Sequence, residues 1–154
     1  MHAKKQKITP LFFATYLALI KNSVGIKTFR NFYVQKGAQR TDITKNGNLS
    51  CAFFVSSILV LCKFIKSGHV TVDSTVRDLK KSGWKLAKKP KPGDVLVWES
   101  FDFGSGHFHK HIGFYIGKDK AISNNFKKGY PMEHHWKFKG KRNIELILTN
   151  KKLA

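Results

Sequence analysis

A thiol and an imidazole in this chain stand where their neighbours would make them a nucleophile and its base. Cys51 follows the polar turn Asn46-Gly47-Asn48 and Ser50, and opens the apolar run "CAFFVSSIL". A cysteine at the start of a helix meets unpaired N–H groups and the positive end of the macrodipole. That setting lowers a thiol from its ordinary pKa of about 8.5 to roughly 3.5–7.5. Cys62, between Leu61 and Lys63, reads instead as a small buried hydrophobe. His111 opens "HIGFYIG", and strand alternation puts His111, Gly113 and Tyr115 on one face. The missing side chain at Gly113 leaves room for another element beside the base. A third group must orient the ring. The turn Gly117-Lys118-Asp119 folds the chain back, so Ser123, Asn124 and Asn125 come beside His111, and each can accept its hydrogen bond.

The elements that must hold these groups change period midway along the chain. Residues 10–22 read as a first helix, with Thr9-Pro10 as its N-cap and first residue. A short strand is expected at Asn31–Gln35. Residues 50–66 form a second helix that is apolar almost all round, as a central buried helix is, and Ser67-Gly68 stops it. A third runs from Ser74 to Ser82 and ends at Gly83. Strands follow at Val95–Trp98, His111–Ile116, Lys120–Asn124, Trp136–Phe138 and Ile144–Leu148, with a loop over residues 99–109 that contains Gly104-Ser105-Gly106. Asp94 fixes the turn before the first of them. Helices first and antiparallel strands after predict an α+β domain spanning residues 1–154, with the second helix packed on the sheet.

Composition narrows the function classes. Thirteen Phe in a chain of 154 residues mark a folded core, not a disordered basic tail. Twenty-nine Lys and Arg against nine acidic residues leave a net charge of +20, so the expected partner is a polyanion. Two cysteines eleven residues apart on one helix stand about 16 Å from each other, too far for a disulfide. Lys4, Lys5 and Lys7 before the apolar run Leu11–Ile20 make residues 1–25 resemble a signal peptide, but Asn22-Ser23-Val24-Gly25 is a poor cleavage site, and a folded first helix is favoured. The run is too short to span a bilayer. His107, His109 and His111 alternate and three imidazoles can bind zinc, but the glycine-rich loop makes a metal site unexpected; His107 and His109 are read as bordering the cleft. Adjacent His134 and His135 face opposite ways in a strand and share no metal. Trp84, Trp98 and Trp136 are read as core or cleft walls, not as a stacking platform for bases.

In their order and spacing, "LSCAFFVSSIL", "PKPGDVLVWE", "HKHIGFYIG" and "AISNN" make residues 46–126 resemble the papain-like cell-wall peptidases of the NlpC and CHAP type. Those families carry a cysteine at the N-terminus of a central helix, a Pro-x-x-Gly-Asp turn into a strand, and a histidine at the start of the next strand. The resemblance implies a papain-like fold and a thiol hydrolase that cleaves amide bonds in peptidoglycan peptides through an acyl-enzyme, without a cofactor. It implies Cys51 as nucleophile and His111 as general base. For the third residue, NlpC spacing implies Ser123 and CHAP spacing Asn124; serine is an unusual orienter, so Asn124 is expected. An upstream NlpC tyrosine that hydrogen-bonds near the nucleophile implies Tyr33, and His109, Trp98 and Tyr33 are the expected substrate contacts. The chain departs from the NlpC pattern in having Ser50 before the cysteine and Ala52-Phe53 after it. The expected partner is an anionic cell-wall polymer or peptide, met by a monomer in the cell envelope, outside the cell or in the cytoplasm. The alternative is a basic nucleic-acid-binding module in which Cys51 is a core residue.

Overall fold

The computed structural model of the protein describes residues 3–102 and 106–153; Gly104 and Ser105 of the expected loop lie outside the described residues. Helix α1 (Phe12–Asn22) starts at an N-cap, Leu11, that makes no side-chain cap bond, so Thr9 does not serve as the cap. It buries Tyr16 and Ile20, and the Tyr16 hydroxyl donates to Gly93 O at 2.8 Å, joining α1 to the turn before the sheet. Strands β1 (Tyr33–Lys36) and β2 (Gln39–Asp42) form a hairpin, where a single strand was expected.

Helix α2 (Cys51–Leu61) ends five residues before the expected stop. Its end is a Schellman arrangement: Phe64 N–H donates to Leu59 O, Lys63 N–H to Val60 O, and Lys63 takes a φ of +60°. Lysine there hides the stop from a glycine-based reading. Phe64 and Ile65 then turn back into the core. Helix α3 (Val72–Lys81) has Thr71 as N-cap, accepting from Ser74 N–H, with Asp73 in its first turn and Lys80 and Lys81 in its last, all favourable to the macrodipole.

The remaining strands, β3 (Lys85–Leu86), β4 (Val95–Phe101), β5 (His109–Gly117), β6 (Lys120–Asn125), β7 (Tyr130–His135) and β8 (Ile144–Thr149), form one antiparallel sheet in the order β3-β8-β4-β5-β6-β7. Residues 136–138 are not the expected strand: β7 ends at His135 and Phe138–Gly140 is a 3-10 turn. Period-two alternation gives the sheet two faces. On one, Val95, Val97, Ile112, Phe114, Ile122 and Leu148 pack against Phe54, Val55, Ile58 and Leu59 of α2. Each such side chain contributes about 1.5–3 kcal/mol by leaving water. On the other, Leu96, Trp98, Tyr115 and Ala121 form a second cluster with Trp136 and Phe138. This is the expected α+β architecture, helices packed on an antiparallel sheet. No helix among the described residues is long and apolar enough to cross a membrane.

Candidate active site

Cys51 is the first residue of α2 and is partly exposed. The loop before it is held from three sides. Asp42 O atoms accept the N–H groups of Phe32, Thr44 and Asn46 and the Thr44 hydroxyl, winding residues 42–46 about one carboxylate. Asn124 Nδ2 donates to Gly47 O at 2.7 Å. Arg30 donates to Lys128 O and Gly129 O, and Gly47, at φ +86°, lies so close that a Cβ there would collide with the Gly129 backbone. Ser50, the N-cap residue, turns its hydroxyl back to Gly47 O at 3.3 Å and makes no cap bond. The N–H groups of Cys51 and Ala52 act on the Cys51 sulfur instead.

His111 lies near the start of β5 on the face away from α2, opposite Trp98 of β4. The β4–β5 pairing shifts register between Trp98 and Phe101, an irregularity of the kind that re-aims side chains beside sites. The ring lies 5.3 Å from Trp98, centroid to centroid. Its Nε2 is hydrogen-bonded to Ser123 Oγ at 2.8 Å, and the same oxygen is bonded to His134 Nε2 at 2.6 Å. Gly113 is paired with Ser123, and a Cβ on it would stand 2.6 Å from Ser123 Cβ and 3.0 Å from the Trp98 ring. The room left by Gly113 is therefore filled by Ser123 and Trp98 of the same sheet, not by a separate element.

The Cys51 thiol reaches the backbone of Ile112, the residue after His111. Ile112 faces α2, and its backbone amide favours the Cys51 thiolate. Among the described residues no hydrogen bond joins the Cys51 sulfur to the ring, and His111 Nδ1 has no bonded partner.

Electrostatics reverse one expectation. Burial pushes the Cys51 thiol up and outweighs the lowering influence of Ile112, the first helical N–H groups and Arg142. Burial also holds the His111 imidazole well below its ordinary value, helped by Arg142 and His134. Both shifts favour the neutral form of the group concerned. Arg142 is the residue that sequence reasoning missed, since it closes the basic run Lys137–Arg142 and reads as surface charge. It is 6% exposed. Its Nε donates to Glu99 O at 2.9 Å and its Nη2 to His109 O at 2.6 Å, so it joins the end of β4 to the start of β5.

Other expected site residues fall elsewhere. Asn124 points to the α2 face, 4% exposed, and holds Gly47 instead of the ring. Trp98 is fully buried beneath His111, its Nε1 donating to Trp136 O, so it supports the ring and offers no cleft surface. Tyr33 is exposed on the β1–β2 hairpin under the Arg40 guanidinium, and among the described residues it is not hydrogen-bonded to Cys51. His109 is exposed, 6.3 Å from the His107 ring. No group of three metal-binding side chains occurs among the described residues. Asp94 does close its turn, accepting from Lys91 N–H.

No protein-family model matches the chain, and no curated protein matches it in sequence. Among solved structures it is similar to NlpC2 from Trichomonas vaginalis, with a TM-score of 0.54 and 14% identity over 94% of this chain and 50% of that one. The chain thus spans half the length of that structure, and the likeness is one of fold.

Proposed function

We propose that the protein is a cysteine hydrolase that cleaves amide bonds in the peptides of an anionic cell-wall polymer. The observation that carries this reading is the thiol at the head of α2, set against the backbone beside a neutral, hydrogen-bonded histidine. The likeness to a fold represented by an NlpC protein supports it, as does the net charge of +20. His111 Nδ1 takes the Cys51 proton as the sulfur attacks the carbonyl carbon. The tetrahedral adduct then collapses to a thioester, and the imidazolium returns that proton to the departing amine. Water, deprotonated by the same nitrogen, cleaves the thioester and frees the acid. Ser123, rather than Asn124, orients the ring.

The test uses cell-wall suspensions and a small neutral peptide amide, with Cys51→Ala, His111→Ala, Ser123→Ala and Asn124→Ala variants. Expected is loss of lysis and of peptide cleavage with Cys51→Ala and His111→Ala while both variants remain folded. Ser123→Ala lowers turnover about 10–100-fold, whereas Asn124→Ala acts through stability. Salt should weaken wall binding steeply and leave peptide cleavage nearly unchanged, because the charge acts at long range. Tight nucleic-acid binding that is indifferent to Cys51, with no cleavage by the wild type, would overturn the reading.

A further inference from the structure

We infer that His134 is a positioning residue: through Ser123 it fixes the tautomer of His111, leaving Nδ1 as the free base nitrogen. The inference rests on the reading of His111 as the general base. It follows from counting protons along a chain of hydrogen bonds. The His135 carbonyl can only accept, so His134 Nδ1, 2.8 Å away, carries a hydrogen. Burial keeps the His134 imidazole neutral at pH 7, so its Nε2 holds a lone pair and accepts from the Ser123 hydroxyl. That hydroxyl has one hydrogen and has given it away. Toward His111 it can only accept, and His111 Nε2 must donate. One proton remains on a neutral ring, so Nδ1 is bare. Serine alone could not impose this, because a hydroxyl donates or accepts equally well.

Two further features hold His134 in place. The register of β6 and β7 sets His134 opposite Ala121 and Met132 opposite Ser123, so the imidazole reaches Ser123 diagonally over a small neighbour. Its outer side is stacked on Phe138, with centroids 4.2 Å apart and planes at 13°. Phe138 and Lys139 adopt φ of +50° and +55°, a conformation unfavourable for bulky residues. His135 Nδ1 accepts from Lys137 and Lys139 N–H in the same turn, so both histidines of the pair serve this arrangement.

The experiment reads imidazole nitrogen protonation by 15N–1H NMR on the full chain at pH 7.5, beside turnover of the peptide amide. His134→Phe keeps a ring to stack on Phe138 and removes the acceptor; His134→Gln restores one through Oε1. In the wild type, the His111 proton is expected on Nε2. In His134→Phe the ring becomes a tautomer mixture and kcat falls about 10–100-fold with KM little changed, and His134→Gln restores the single tautomer and most of kcat. A His111 ring that keeps its Nε2 proton and its turnover in a folded His134→Phe variant, or a Gln variant as impaired as the Phe one, would overturn the inference. The tautomer shift without hydrolysis by any variant, wild type included, would uphold the link between the histidines and remove the hydrolase reading instead.

Discussion

Burial favours the neutral form of both the Cys51 thiol and the His111 imidazole, which under the proposed mechanism dictates a pH dependence unlike that of a preformed ion pair. As the proposed base, His111 would fail only when protonated, and its pKa lies below the ordinary histidine value of about 6.5. The expected kcat/KM profile for a neutral peptide therefore has one acid limb, below pH 6.5, and no alkaline fall up to about pH 9, since loss of the thiol proton aids attack. A bell-shaped profile would show a thiolate–imidazolium pair. Arg142 acts on both groups in the same direction, lowering each. Arg142→Gln should move the acid limb to higher pH and slow iodoacetamide labelling of Cys51 at pH 8. It should also lower stability by about 1 kcal/mol, as the part-buried carbonyls at Glu99 and His109 lose their donor. Faster labelling, or an unmoved limb, would show that the guanidinium does not reach the pair.

Close packing between elements, more than any cap, sets where α2 begins. Gly47→Ala brings two penalties together: a left-handed φ and a Cβ driven into the Gly129 backbone. The expected loss in a denaturant titration is about 2–4 kcal/mol, with activity lost as the head of α2 shifts. Gly37→Ala is the control, because φ there is +61° but nothing lies within 4 Å of the added carbon; it should cost about 1 kcal/mol. Equal effects at both positions would mean that strain alone governs and the contact with Gly129 is unimportant. Gly113→Ala tests the sheet in the same way, since the new methyl displaces Ser123 and turnover should fall more than stability does.

For the folded protein against its unfolded chain, the depressed histidines have a thermodynamic consequence. His111 and His134 bind protons less readily when folded. Between pH 6.5 and their folded pKa values the unfolded chain takes up protons first, so their contribution is complete above about 6.5 and lost as pH falls below it. Asp78 adds a second, lower step. Burial raises its pKa, but hydrogen bonds from His69, Lys66 N–H, Ser82 and Ser67 N–H outweigh that and leave it depressed. Its contribution is present above about pH 4 and lost below. Calorimetry should show the melting temperature falling from pH 7 to 5 and again below 4. The double variant His111→Gln/His134→Gln should flatten the first interval and spare the second; an unchanged slope between pH 7 and 5 would assign that proton uptake elsewhere.

Local pattern was enough to read much of this protein. The polar turn into an apolar run placed Cys51 at a helix start, and the change from a 3.6 to a 2 period announced helices packed on antiparallel strands. His111 was legible at a strand start, as was the turn that brings residues 123–125 beside it. Which of those three meets the ring was not legible, because a shift of one residue in register exchanges the two faces of a strand, and β5 and β6 slip between Tyr115 and Gly117. That slip stands at the end of β5, just before a turn where Lys118 and Asp119 both take positive φ, and nothing in the side chains there announces it. The pKa of Cys51 was out of reach for a related reason: a helix N-terminus is a local feature, whereas the burial that overrides it comes from strands distant in the chain. Arg142 and His134 looked like surface charge and an adjacent pair without common purpose. Folding brought the first against the carbonyls of β4 and β5 and the second onto Ser123, because long-range packing, not sequence spacing, decides which polar groups share a dry site.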